Sequence, residues 1–157
     1  MKRSTALAAI VLGLLVAFGA TPAMAADPSD REVDPAVTAM LEEVPGGIVI
    51  DATRAVWPDL GMELQIRGAS SISARTVGGC ATGKTCAFNL ASLGGSILSF
   101  SSCSVNAVPA SFVTRSAANA RTSGYMQARN GTSVLATIYA GNWSNVSGTV
   151  TNLRCVL

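Results

Sequence analysis

A chain of 157 residues that has no His, and whose nine acids all precede residue 64, is poorly equipped for acid–base chemistry. From residue 64 to 157 it holds seven bases (Arg67, Arg75, Lys84, Arg115, Arg121, Arg129 and Arg154) and no carboxylate. General acid–base catalysis and metal catalysis draw on His, Asp, Glu and free Cys, so the chain is expected to bind rather than catalyse, with no cofactor and no metal ion.

The first 25 residues read as an export signal: Lys2 and Arg3, an apolar run at 6–18, then the small-x-small site Ala23-Met24-Ala25. The run is shorter than the ~20 residues of a membrane span, and no second run of that length follows. A secreted chain cut after Ala25, without membrane attachment, is expected. Removing 25 of 157 residues leaves 132, one ordinary domain with an appendage.

Residues 26–34 are polar and expected to be loose. Asp34 reads as an N-cap with Pro35 at the first helical position. Val37, Met40, Leu41 and Val44 recur at helical spacing until Pro45-Gly46-Gly47 stops the helix, which is placed at 35–44. The period then switches to two. Strands are expected at 48–50, 55–57 and 62–67, with the last alternating apolar and polar. A Gly/Ala/Ser-rich linker at 68–79 separates this extension, 26–75, from a domain at 76–157. Further strands are expected at 86–88, 96–100, 111–113, 125–128, 134–139, 149–151 and 153–156. Short strands with Gly, Ser and Asn between them predict an all-β sandwich or barrel.

Cys80, Cys86, Cys103 and Cys155 all follow the leader. An even count in an exported chain implies two disulfides, with three pairings open. Residues 78–85, Gly-Gly-Cys-Ala-Thr-Gly-Lys-Thr, match the phosphate-binding loop pattern G-x-x-x-x-G-K-[ST]. That loop must follow a buried strand, open a helix and find a downstream Asp for magnesium. The preceding residues are Ser-rich and no acid follows Glu63, so the segment reads as a turn in a disulfide loop and no nucleotide partner is expected. The triplets beginning at Asn130, Asn142 and Asn145 fit the glycosylation acceptor pattern and read as surface turns. The basic half offers a surface for a polyanion, although its arginines are scattered along the chain.

The segment from Cys80 to Cys103 carries more specific information. A cysteine pair encloses a Gly-containing turn, Phe88 follows, Gly94-Gly95 stand six residues on, and Leu98-x-Phe100 forms an apolar-x-aromatic strand. This resembles the opening of the actinobacterial secreted metalloprotease-inhibitor family. The resemblance implies a βγ-crystallin-like Greek-key sandwich preceded by a short helix and a small β extension. The upstream Val44-Pro45-Gly46-Gly47 resembles the extension found before that domain. The resemblance favours the pairing Cys80–Cys86 with Cys103–Cys155, while Cys80–Cys103 with Cys86–Cys155 stays open. In this pattern Phe88 folds over the hairpin and Gly94 supplies a left-handed turn.

Two features depart from the family. Leu93 stands at a usually aromatic position, and the calcium-signature match at 118–123 has Ala118 as its first ligand, so no tight calcium site is expected. The resemblance implies an extracellular protease as partner. It would be blocked sterically by a rigid loop, either Ala81, Thr82, Gly83, Lys84 and Thr85 or the segment 114–124. The alternative is a non-inhibitory structural protein or envelope-polyanion binder on the same fold. Oligomeric state is not legible.

Overall fold

The computed structural model describes residues 32–67 and 77–157. The expected leader, most of the loose segment and most of the 68–79 linker lie outside the described residues.

The chain opens with helix α1 (Pro35–Glu43), capped by the Asp34 carboxylate, which accepts the Ala36 N–H at 2.8 Å. Val37 and Met40 face the core, and the Trp57 indole N–H reaches back to the Val44 carbonyl at 2.8 Å. Gly47 lets the chain pass beneath that ring. A Cβ there would lie 2.4 Å from Leu41 Cδ2 and 2.6 Å from Trp57 Cε2.

The strands are β1 (Ile48–Asp51), β2 (Arg54–Trp57), β3 (Met62–Gln65), β4 (Thr85–Phe88), β5 (Ile97–Phe100) and β6 (Val105–Ala107). They continue with β7 (Ser116–Asn119), β8 (Tyr125–Asn130), β9 (Ser133–Tyr139), β10 (Asn142–Asn145) and β11 (Asn152–Val156). Seven form one antiparallel sheet in the order β1-β2-β3-β5-β4-β7-β10, and four form a second, β6-β11-β8-β9. The architecture is therefore mostly β, in two antiparallel sheets, with two disulfides.

Strand order has a repeat in it. In both β4–β7 and β8–β11 the fourth strand pairs with the first and the first with the second. The third strand of each set pairs into the opposite sheet: β6 lies beside β11, and β10 beside β7. The N-terminal strands join this arrangement directly, because β3 pairs with β5 in the register Met62↔Phe100 and Leu64↔Leu98. Strands expected in an extension and strands expected in a domain thus share one sheet.

Two expected strands and one expected pair of turns are corrected. Residues 111–113 form no strand: Phe112 bends back to donate its N–H to the Pro109 carbonyl and drives its ring into the core from a loop. Residues 149–151 lie outside the strands, with Val150 buried and the Thr151 N–H bonded to the Arg129 carbonyl. The Asn142 and Asn145 triplets, expected as turns, contain β10, whose backbone is recruited by β7 in the register Asn142↔Asn119 to Asn145↔Ser116.

The main core lies between the sheets and under α1, around Trp57, Leu64, Leu98, Phe100, Met126 and Leu153. A second cluster of Cys80, Cys86, Phe88, Ile97, Ala118 and Ala120 covers the opposite face of the long sheet, with Val77 and Leu93 packed against it.

Candidate functional site

Of the pairings left open, the structure forms Cys80–Cys86 and Cys103–Cys155. The first closes the candidate loop 81–85, of which only Ala81, Thr82 and Gly83 are exposed. Lys84 is half-buried, and Thr85 is already the buried first residue of β4. The candidate loop therefore contracts to a three-residue tip, because backbone bonds pull its second half into the sheet. Lys84 N–H closes a turn on the Ala81 carbonyl at 3.0 Å, and Gly83 N–H donates to the Ala120 carbonyl at 2.8 Å. Ala120 N–H donates in turn to the Lys84 carbonyl at 3.0 Å. Gly83 holds φ +84°, a conformation that L side chains resist.

Lys84 does not project from this tip. Its Nζ lies 2.7 Å from Glu63 Oε2, which belongs to β3, and Arg54 approaches the other carboxylate oxygen at 3.8 Å. Nearby, Arg67 donates from Nε and Nη2 to the Gln65 side-chain oxygen at 3.0 and 2.8 Å. Burial pulls the Arg67 guanidinium below its ordinary value, and the Glu63 charge opposes that shift. The stretch matching a phosphate-binding loop runs on into strand β4 instead of opening a helix.

The remaining motif residues have structural places. Phe88 is fully buried against the Cys80–Cys86 disulfide, whereas Leu98 and Phe100 point to the opposite face, into the inter-sheet core. Gly94 does not carry the left-handed turn. Gly95 does, at φ +71°, where a Cβ would sit 2.0 Å from Asn89 Oδ1. The reversal before it is made by Ser92 and Leu93, at φ 55° and 62°, with Gly94 N–H closing on the Ala91 carbonyl at 3.1 Å. Two left-handed non-glycine residues are held by outside partners: Ser92 N–H donates to Asn145 Oδ1 at 2.8 Å and Leu93 N–H to Ser116 Oγ at 3.0 Å.

The second candidate loop, 114–124, is interrupted by a strand at residues 116–119. It contains β7, the strand between β4 and β10, every residue of which is buried. Within the calcium-like hexad, Asn119 spends its amide on the fold, donating to the Ile138 carbonyl at 3.3 Å and accepting the Arg121 N–H at 3.2 Å. Among the described residues no three His, Cys, Asp or Glu side chains gather as a metal site.

Sequence reasoning missed the outer face of the four-stranded sheet. Strands β8, β9 and β11 turn Met126, Ala128, Ile138 and Leu153 into the core and their alternate residues outward. The pairings set Tyr125 beside Val156 and Tyr139, Gln127 between Arg154 and Thr137, and Arg129 between Asn152 and Val134. The two tyrosine rings stand 6.3 Å apart, tilted by 57°. The signal for this face was present in the chain as the alternation Tyr125-x-Gln127-x-Arg129, which is visible only once the inward set is known.

No protein-family model, curated protein or solved structure matches the chain. Its chemistry must therefore be read from its own residues. A groove of about 620 Å³ runs beside β6 and is lined by Asp59, Ser101, Ser102, Ser104 and Asn106, among others. Two of those hydroxyls are already spent, because Ser102 and Ser104 both donate to Asn106 Oδ1, at 2.6 and 3.2 Å.

Proposed function

We propose that the protein is an exported, non-catalytic binding module whose partner is an envelope polyanion. One observation carries this reading. Among the described residues Arg115, Arg121, Arg129 and Arg154 have no carboxylate within ion-pair distance, and the only paired base after Arg54 is Lys84. Cations left without an internal carboxylate attract an anionic polymer at long range. The fold is proposed to be a pair of Greek keys of the βγ-crystallin kind. The orders β7-β4-β5 and β11-β8-β9, each with its third strand lent to the other sheet, support this. Two disulfides fit an oxidising, extracellular location.

Binding to polyacrylate, a featureless carboxylate polymer, tests the reading. The expected result is binding at low salt that weakens steeply as sodium chloride rises. Absence of binding at low salt overturns it.

A second reading, steric inhibition of a metalloprotease, has one favouring observation: the Ala81–Gly83 tip is exposed and pinned on both sides, by the disulfide and by the bonds to Ala120. Titration against a thermolysin-type protease tests it, with serine and cysteine proteases in parallel. Stoichiometric loss of only the metalloprotease activity supports inhibition, and full retained activity removes it.

A further inference from the structure

We infer that the outer face of the four-stranded sheet binds a carboxylated polysaccharide, a chain of uronic acids lying along β8. The inference rests on the polyanion reading and locates its site. Three kinds of group meet on this face in successive rows. Tyr125 and Tyr139 form the first row, Gln127 and Thr137 with Arg154 the second, and Arg129 the third. Residues two apart on a strand are about 7 Å apart, so the three rows span about 14 Å along β8.

Each row suits one part of such a ligand. Guanidinium forks match carboxylates in a bidentate, planar fashion that a lysine does not reproduce. Arg154 is exposed on β11. Arg129 is half-buried: its Nη2 gives one N–H to the Thr132 carbonyl at 2.7 Å and its Nε is shielded from solvent, so a ligand meets only the outer end of its guanidinium. The amide of Gln127 and the hydroxyl of Thr137 offer donors and acceptors to sugar hydroxyls. The tyrosines offer apolar faces with a polar tip, and Tyr139 is 66% exposed. No Asp or Glu occurs on any of the four strands, so none of their side chains repels an anion.

The observations favour a glycan over a single-stranded nucleic acid. Base stacking needs successive parallel aromatic platforms, and these two rings are tilted by 57°. Two cations interleaved with neutral hydrogen-bonding side chains suit a ligand that is mostly hydroxyl with spaced acid groups, rather than one charge per residue.

The test measures affinity of the oxidised protein for alginate, polyacrylate, neutral dextran and oligo-dT, with variants Tyr139→Ala, Tyr139→Phe, Arg154→Gln and Arg115→Gln. All four substitutions are at exposed side chains, so each variant is expected to fold, with far-UV and near-UV circular dichroism as the check. The expected result is alginate bound more tightly than polyacrylate, with Tyr139→Ala about tenfold weaker for alginate and unchanged for polyacrylate. Tyr139→Phe keeps the alginate affinity, Arg154→Gln weakens both polymers, and Arg115→Gln, which lies off this face, preserves the preference for alginate. If both polymers bind but Tyr139→Ala leaves the alginate preference intact, the site assignment is wrong while the polyanion reading stands. If neither binds, both fall. Tyrosine-dependent binding of oligo-dT stronger than that of alginate overturns the assignment to sugar.

Discussion

The two sheets solve different burial problems. In the middle of the seven-stranded sheet, β4, β5 and β7 are buried at every position, because the other sheet covers one face and the disulfide loop with the 89–96 hairpin covers the other. In the four-stranded sheet β8 and β11 alternate, one residue in and the next turned outward. The difference teaches that the number of covers, more than strand propensity, sets composition. A doubly covered strand needs small or apolar residues throughout, as in Ser116-Ala117-Ala118-Asn119, while a singly covered one is free to carry Arg and Tyr on its open side.

The comparison breaks most visibly at its aromatics. Phe88→Ala, beneath the second cover, is expected to cost about 3–5 kcal/mol in urea unfolding, whereas Tyr139→Ala on the open face stays within about 0.5 kcal/mol. Equal losses at the two sites would mean that the outer faces do not differ. Next come the disulfides. Replacing Cys103 and Cys155 by Ser opens the long loop and should cost about 4 kcal/mol, against about 2.4 for Cys80 and Cys86. A larger loss at the short loop would show that packing of the cover, rather than loop entropy, dominates there.

Overpacking sharpens the same contrast. Ala118→Leu, wedged between β7 and the cover, is expected to lower stability by about 1–3 kcal/mol, while Gln127→Leu should be near neutral by thermal melting. Smaller still is the Glu63–Lys84 pair, half-exposed at the margin of the cover. Glu63→Gln should lower stability by about 1 kcal/mol, with the deficit shrinking as salt is added.

The smallest expected effect is a pH dependence where α1 docks. The Glu43 carboxylate is held below its ordinary range by the Ser111 hydroxyl first, then by the Ser111 amide and the Ala110 amide. The two backbone N–H groups lie 3.0 and 2.5 Å from it. A carboxylate with a depressed folded value stabilises fully above its unfolded value of 4.5, and that stability is lost as pH falls through the folded value. Glu43→Gln should flatten this part of a stability profile between pH 6 and pH 3. An unchanged acid limb would remove the clasp from the account.

Much of the fold was legible where pattern and period agreed. Asp34-Pro35 marked the start of α1, and the alternation at Met62–Gln65 marked β3. The strands that escaped are those whose residues answer to neighbours rather than to local propensity. Strand β7 is Ser, Ala and Asn because two layers press on it. Strand β10 is Asn-Trp-Ser-Asn, turn chemistry drawn straight by the edge of β7. Conversely, Phe112 and Val150 read as strand residues because they are apolar, yet they plug the core from loops. For the candidate site, the pinned tip was legible from the cysteine spacing. The tyrosine–arginine face was not, because β11, which carries Arg154, pairs with β8 across a separation that no local pattern announces.

The place of β11 has a consequence for how the molecule comes into being. Residues 152–156 lie between β6 and β8, not at a margin, and Cys155 fastens that strand to the middle of the chain. A polypeptide emerging amino end first from a ribosome has every strand of the seven-stranded sheet by residue 145, but cannot complete the four-stranded sheet until residues 152–156 are out. Until then β6 and β8 have a gap where their neighbour belongs, and β10 has yet to be balanced by a finished opposite layer. The second layer, and with it the inter-sheet core around Met126 and Leu153, thus closes last, with Cys155 as its bolt.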